Sequence, residues 1–211
     1  MKIADLRAHY IKGGLLESDC APDPLSQFKK WFSDALEAEV IEPNAMTLST
    51  VRAAGLPTSR IVLLKGVDER GFVFYTNYES AKGEEMAHAP HAALTFWWPE
   101  LERQVRIEGE VEKVPHTESD EYFESRPFGS KVGAWVSAQS TVIESRAVIE
   151  TRLQEMEVRF ADGMVARPPH WGGYLVRPVL LEFWQGRPSR LHDRIRYRKV
   201  EDHWIMERLS P

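Results

Sequence analysis

The sequence predicts an α+β fold: a mostly antiparallel sheet, closed or nearly so, with helices flanking it. Three observations lead there. Seven or eight short stretches alternate apolar and polar residues, the period of a half-buried strand. Several are joined by tight turns such as Gly55-Leu56-Pro57 and Asp68–Gly71, which makes a meander. Two longer stretches, near residues 24–40 and 142–161, carry the 3.6-residue period of amphipathic helices.

In chain order, Ile3, Leu6 and Tyr10 sit at helical spacing over residues 2–11 and stop at Gly13-Gly14; residues 12–22 read as a polar connector. Asp23-Pro24 is a helix start, an acceptor at the cap and proline in the first turn, and Leu25, Phe28, Trp31, Phe32 and Leu36 form its apolar face. Strands follow at Ala45–Ala53, Thr58–Gly66 and Phe72–Asn77, then a short helix over Ser80–His88, then strands at His91–Trp98 and Leu101–Val114. In the last of these Val105, Ile107, Gly109 and Val111 alternate with Gln104, Arg106, Glu108, Glu110 and Glu112, so one face is buried and one is wet. Short helices are expected over 116–125 and 128–137, split by Arg126-Pro127. The 142–161 helix carries Ile149, Leu153, Met156 and Phe160 on one face, with Gly163 past its end. Strands at 173–184, 194–200 and 203–209 close the set. The division expected is an N-terminal segment, 1–22, and one domain, 23–211.

The bulk numbers narrow the function. At 211 residues and 43% hydrophobic content the chain has a core, and 28% charged residues argue against disorder. A pI of about 5.8 and a net charge of -5 disfavour a nucleic-acid binder, which carries a broad basic face. One cysteine, Cys20, forms no internal disulfide, no apolar run approaches the roughly 18 residues of a membrane helix, and the N-terminus lacks a signal peptide's apolar core; a cytoplasmic protein is expected. No dinucleotide glycine motif, phosphate-binding P-loop or nucleophile elbow occurs, and the scattered histidines give a metal site no support.

The stretch Glu182–Arg198 concentrates the remaining chemistry. Phe183-Trp184 leads to a Gln185-Gly186 break, and Arg187, Arg190, His192, Asp193 and Arg194 arrive within eight residues. Cations so close repel one another unless an anion sits among them. Arg196 and Arg198 alternate along the next strand and read as solvated, and Asp193 reads as an orienter of a neighbouring arginine. Elsewhere four small anion-binding candidates stand out: Arg60 to Lys65, whose two cations leave opposite faces of a strand and so suit different anions; Ser80-Ala81-Lys82 at a helix start; Tyr122, Arg126 and Ser130; and Gln139-Ser140. Taken singly, each also reads as a cap or a surface charge; together they supply groups for two phosphates. Gln104, Trp184 and Arg194 suit a flat aromatic ligand with polar edges, and Trp171, between proline and glycine pairs, reads mainly as a packing residue.

The segments LRAHYIKGGL, DPLSQFKKW, SRIVLLKG, GFVFYTN, LERQVRIEG, YFESRPFGSKVGAWVSAQS, HWGGY and EFWQGRPSRLHDR, in this order and over nearly the whole chain, resemble the pyridoxamine (pyridoxine) 5'-phosphate oxidase family. The resemblance implies an FMN-binding split β-barrel, a homodimer with FMN at the subunit interface, and oxidation of pyridoxamine or pyridoxine 5'-phosphate to pyridoxal 5'-phosphate, with dioxygen reduced to hydrogen peroxide. It implies FMN contacts at Arg60, Ile61, Val62, Leu63, Leu64, Lys65, Tyr75, Thr76, Lys82, Gln104, Gln139, Ser140, Trp184 and Arg194. It implies that Lys65, Tyr122, Arg126 and Ser130 hold the substrate phosphate, that Arg190 and His192 contact the reacting ring, and that Arg7 and Tyr10 belong to a segment that can close over the site. Two departures stand out. Ala81 replaces a frequent arginine, removing one FMN-phosphate contact, and Ala8-His9 is less charged than usual. Rival readings are a flavin or deazaflavin reductase on the same barrel, which would not need Tyr122, Arg126 and Ser130 with Arg190 and His192; a non-catalytic carrier; and a nucleic-acid module, which the acidic pI disfavours.

Overall fold

The computed structural model describes residues 10–211, and one long strand organises it. Strand β7, Trp171–Gln185, pairs along most of its length with β6, Arg103–Lys113. Its other edge is shared: β4, Gly71–Asn77, takes Trp171–Val176, and β8, Asp193–Val200, takes Leu180–Gln185. Between these partners the β6–β7 register shifts at Glu108/Gly109, opposite Pro178 and Leu180, which leaves Val179 unpaired. Proline donates no ladder hydrogen bond and is tolerated at such an irregularity, and a Cβ at Gly109 would strike the Arg177 carbonyl.

From β6 the sheet continues through β5, His91–Trp98, and β1, Ala45–Val51, to β2, Pro57–Leu63; β3, Gly66–Asp68, flanks β4, and β9, His203–Arg208, flanks β8. All pairings are antiparallel, and β2 and β4 meet to curl the sheet towards closure. The strand expected over 58–66 ends at Leu63. There the Leu64 amide donates to Asn44 O (2.8 Å) and the Lys65 amide to Val73 O (2.8 Å), so the chain leaves β1 for β4.

Helix α1, Pro24–Glu37, starts as expected: Asp23 Oδ1 accepts from the Ser26 amide at 2.9 Å, and Pro24 occupies the first position. It buries Phe28, Trp31 and Ala35 against the concave face of the sheet, where Phe28 meets Phe72 (4.9 Å) and Phe96 (5.1 Å) and Trp31 meets Phe183 (5.2 Å). Four more helices follow, α2 Ala81–His88, α3 His116–Glu124, α4 Phe128–Val136 and α5 Arg146–Arg159. Phe123 of α3, Val132 of α4 and Phe160, just past the end of α5, join Trp171 in a second buried cluster, which makes Trp171 a packed residue.

Arg7 and most of the helix expected over 2–11 lie outside the described residues; Tyr10 and Ile11 are not helical. The chain that follows is strapped onto the β5–β6 and β7–β8 turns. The amides of Ile11 and Lys12 donate to Glu102 Oε2 (2.8 and 3.0 Å), and the Leu15 amide donates to Asp193 Oδ2 (3.0 Å). Asp193 also accepts from Arg208 (2.8 Å), an orienting role of the kind expected of it. Arg196 and Arg198 are not simply solvated: both hold Glu207 across β8–β9, at 2.6 and 3.3 Å.

Candidate active site

A cavity of about 720 Å³ opens where β2, β4, α2, α3 and α4 converge. Each wall comes from a locally determined feature. Strand β2 supplies Arg60 to Leu63, and Lys65 enters where the chain turns away to β4, so both cations line one cavity instead of serving opposite faces. Leu64 is the exception in this run: its side chain is 6% exposed and belongs to the core. Strand β4 adds Tyr75 and Thr76. Helix α2 begins at Ser80, whose Oγ accepts from the Gly83 amide at 3.4 Å, and presents Ala81 and Lys82 in its first turn. Gly83 lets this helix sit directly on the Tyr78 carbonyl, where a Cβ would collide. Tyr122 comes from α3, Arg126 from the α3–α4 connection, Ser130 from α4, and Gln139-Ser140 from the loop beyond it.

The electrostatics of this cavity suit anions. Four cations line it, Arg60, Lys65, Lys82 and Arg126, and no carboxylate stands among the described residues that do. Lys82 is 8% exposed, and Nζ donates to three neutral oxygens, Thr76 Oγ1 (3.3 Å), Ser80 Oγ (3.2 Å) and Gln139 Oε1 (3.2 Å). Burial, then the nearby Arg60 charge, pushes its pKa below the usual lysine value. Arg126 is half-buried: its Nη1 is buried without a hydrogen-bond partner among the described residues, and burial lowers its pKa. A buried cation with only neutral partners and a buried guanidinium N–H with none are what a bound phosphate satisfies.

Arg60 is held differently. Its Nη2 donates to Glu85 Oε2 (2.9 Å) and Thr58 Oγ1 (2.8 Å), and Nη1 donates to Thr50 Oγ1. Glu85 went unnoticed in the sequence, although it lies three residues after Lys82 on the same helix and so on the same face. Burial alone would raise its pKa, but hydrogen bonds from Thr50, Thr58 and Arg60 and the Arg60 charge outweigh that and hold it at about 2. Since the folded value lies below the unfolded one, this contribution to stability is complete above pH 4.5 and lost as pH falls towards 2. Glu85→Gln is expected to flatten that part of the acid limb in urea unfolding between pH 6 and pH 3; an unchanged limb would exclude Glu85 as its source.

The other expected site residues form a second group. Trp184 stands across from Gln104 on β6 and Arg194 on β8, and packs on His192 (4.5 Å), Tyr10 (5.6 Å) and Trp97 (6.1 Å). Arg194 Nε donates to the buried Glu182 (2.8 Å). His192 Nδ1 accepts from the Arg187 amide at 3.0 Å, and burial followed by the Arg190 charge lowers its pKa, so its neutral form is favoured with the proton on Nε2. Ser189 and Arg190 both adopt positive φ, 59° and 61°, which sharpens the turn carrying these groups.

Neither Gln104, Trp184, Arg190, His192 nor Arg194 lines the cationic cavity. Part of each group nevertheless shares one face of the sheet, although Arg60 and Val62 belong to the other. Ile61 aligns through Thr47, Thr95 and Arg106 with Glu182, placing Leu63, Gln104 and Trp184 on that same face. Three strand spacings separate β2 from β6, roughly 14 Å.

The chain matches the family described as pyridoxamine 5'-phosphate oxidase over residues 32–160, and a region described as the pyridoxine 5'-phosphate oxidase C-terminal dimerisation region over residues 171–211. It is 58% identical to a pyridoxine/pyridoxamine 5'-phosphate oxidase of Cyanothece over 211 residues, covering 100% of this chain and 99% of that protein. It is 60% identical to the one of Burkholderia multivorans, covering 99% of each. Among solved structures, PhzG from Burkholderia lata, in complex with tetrahydrophenazine-1-carboxylic acid, superposes with a TM-score of 0.87 at 30% identity, over 93% of this chain and 98% of that one. A pyridoxamine 5'-phosphate oxidase-related, FMN-binding protein of Nostoc punctiforme shares the fold, with a TM-score of 0.71 at 17% identity, over 90% of this chain and 100% of that one.

Proposed function

The chain belongs to the pyridoxamine 5'-phosphate oxidase family, an oxidoreductase family, and from that premise we propose an FMN-dependent oxidase that converts pyridoxamine and pyridoxine 5'-phosphates to pyridoxal 5'-phosphate. The observation that carries this reading is the cationic cavity, with a buried lysine and a buried arginine N–H left for two phosphate groups. In this reading Arg60, Lys82, Gln139 and Ser140 hold the FMN phosphate, while Lys65, Tyr122, Arg126 and Ser130 hold the substrate phosphate. When bound, FMN would supply the two-electron acceptor for the substrate's CH–NH2 or CH–OH carbon, with dioxygen as the final oxidant and hydrogen peroxide as its product; the amine route would also take up water and release ammonia. The remaining work belongs to the chain. Two anchored phosphates fix the reacting carbon in place, which makes the transfer effectively unimolecular. Gln104, Trp184 and Arg194 meet the edge and face of the flavin ring. Arg190 covers the substrate ring and favours negative charge building there. His192 offers its Nε2 proton to the substrate, its Nδ1 being occupied by the Arg187 amide.

We place the two groups of residues in one site through a homodimer, consistent with the dimerisation region matched over 171–211. A two-fold interface is self-complementary, and in this reading the Trp184 group of one protomer meets the cationic cavity of its partner. The presence of Tyr122, Arg126 and Ser130 beside one another favours this substrate class over a reductase lacking a second phosphate. No helix among the described residues is long and apolar enough to cross a membrane, and we place the enzyme in the cytoplasm.

The test is direct. The purified protein, saturated with FMN, is expected to form aldehyde and peroxide from pyridoxine 5'-phosphate under air; a yellow protein that forms neither overturns the proposal. Arg190→Ala is expected to cut kcat by at least about a hundredfold, the scale of one lost transition-state contact, with FMN affinity unchanged. Equal losses in both would move Arg190 from the substrate to the cofactor.

A further inference from the structure

We infer that Trp171 is the positioning residue for Arg126, holding the guanidinium by its face so that its N–H edge stays free for the substrate phosphate. The inference rests on the proposed role of Arg126 and goes beyond it. Arg126 Cζ lies 4.5 Å from the centre of the Trp171 ring and 5.5 Å from that of Phe123. Among the described residues no carboxylate pairs with it, and Nη1 is buried without a hydrogen-bond partner.

The chemistry explains why a ring is there. A carboxylate that fixed Arg126 would occupy in-plane N–H donors that the substrate phosphate needs, as Glu85 occupies Nη2 of Arg60 at 2.9 Å. A π face attracts the cation from above its plane and leaves the donors along the edge unspent. Arg126 is thereby fixed without a competing anion.

Trp171 is itself rigid. It is 7% exposed, sits opposite Asn77 at the start of β7, and its carbonyl accepts from Arg167 Nη1 at 2.6 Å. Its ring is backed by two more: Tyr75 lies parallel within 13° at 5.5 Å, and Tyr122 within 5° at 6.2 Å, with Tyr75 and Tyr122 stacked at 3.9 Å. Tyr75, Tyr122, Trp171 and Arg126 all line the same cavity, so the stack is a platform with the guanidinium at one end.

A double-mutant cycle tests this, with kcat, KM for pyridoxine 5'-phosphate and the FMN Kd as readouts. Trp171→Leu, which stays apolar but is smaller and loses the π face, is expected to raise KM about tenfold with little change in kcat or FMN Kd. Trp171→Phe, which keeps an aromatic face and guards against failure to fold, is expected to retain most of the wild-type KM. On an Arg126→Ala background Trp171→Leu is expected to change KM less than twofold, because the partner through which it acts is gone. If Trp171→Leu raises KM equally on both backgrounds, or Trp171→Phe is as damaged as Trp171→Leu, the ring acts only as packing and the inference falls. If Arg126→Ala alone leaves KM unchanged, the substrate-phosphate assignment fails instead.

Discussion

Lys82→Met is expected to weaken FMN binding by about ten- to a hundredfold while leaving the flavin-free protein at least as stable as the wild type. The two halves of this result come from one fact. Lys82 is buried, and Nζ meets only neutral oxygens among the described residues. A charge-assisted hydrogen bond to a phosphate contributes about 1.5–3 kcal/mol, about 10- to 150-fold in Kd. Ala81 offers no second cation beside it, so Lys82 carries more of the grip. Without the phosphate the same ammonium costs desolvation, which methionine of similar length removes. Little else is orphaned. Thr76 Oγ1 still donates to Gln139 (3.3 Å), and Ser80 Oγ still donates to Asn77 O (2.7 Å). The pH dependence has a definite sign. With the folded pKa below the usual 10.5, the unfolded chain binds the extra proton, so the wild-type flavin-free protein gains stability as pH rises towards 10.5. Lys82→Met should lose that slope. Fluorescence titration with FMN and thermal unfolding of the flavin-free protein decide the matter; a destabilised protein with unchanged FMN affinity would make Lys82 a structural residue.

The strands and helices were largely legible in the sequence because alternation and capping are local. Asp23-Pro24 starts α1 where expected, and β5 occupies His91–Trp98, the very range the pattern gives. The errors arose where tertiary contacts cut across a local pattern. The period-two reading of residues 58–66 sent Arg60 and Lys65 to opposite faces, but a strand's parity holds only while it runs straight, and backbone bonds from Leu64 to Asn44 and from Lys65 to Val73 end β2 before Lys65. Arg196 and Arg198 looked solvated because their partner Glu207 is supplied by a later strand.

The site was legible as residue types more than as an arrangement. Arg60, Lys65, Lys82, Tyr122, Arg126, Ser130, Gln139 and Ser140 are separated by up to 80 residues, yet they line one cavity. What holds them was harder to see. Glu85 reads as one more surface acid in a helix of mixed charge, and only the fold places Thr50 and Thr58 against it. Trp171 was marked for packing; its contact with Arg126 depends on where the α3–α4 connection crosses the start of β7.

Coexpression of Arg126→Ala and Arg190→Ala chains is expected to restore about a quarter of wild-type activity, at substrate well below the wild-type KM, although each variant alone is nearly inactive. In one chain Arg126 lines the cationic cavity, whereas Arg190 lies on the β7–β8 turn next to the Trp184 group, which does not. On the proposed dimer every site takes Arg126 from one protomer and Arg190 from its partner. A mixed dimer then carries one site with both arginines and one with neither. Random pairing makes half of the dimers mixed, so about a quarter of all sites are intact. Purification through two different affinity tags isolates the mixed dimer, in which half of the sites, and hence about half of the activity, should be present. FMN content should stay close to that of the wild type throughout, because neither arginine is assigned to the cofactor. If both arginines serve a site from the same protomer, every site in the mixed dimer lacks one of them, and activity stays at the level of the single variants. Recovery therefore separates a shared site from one built within a chain.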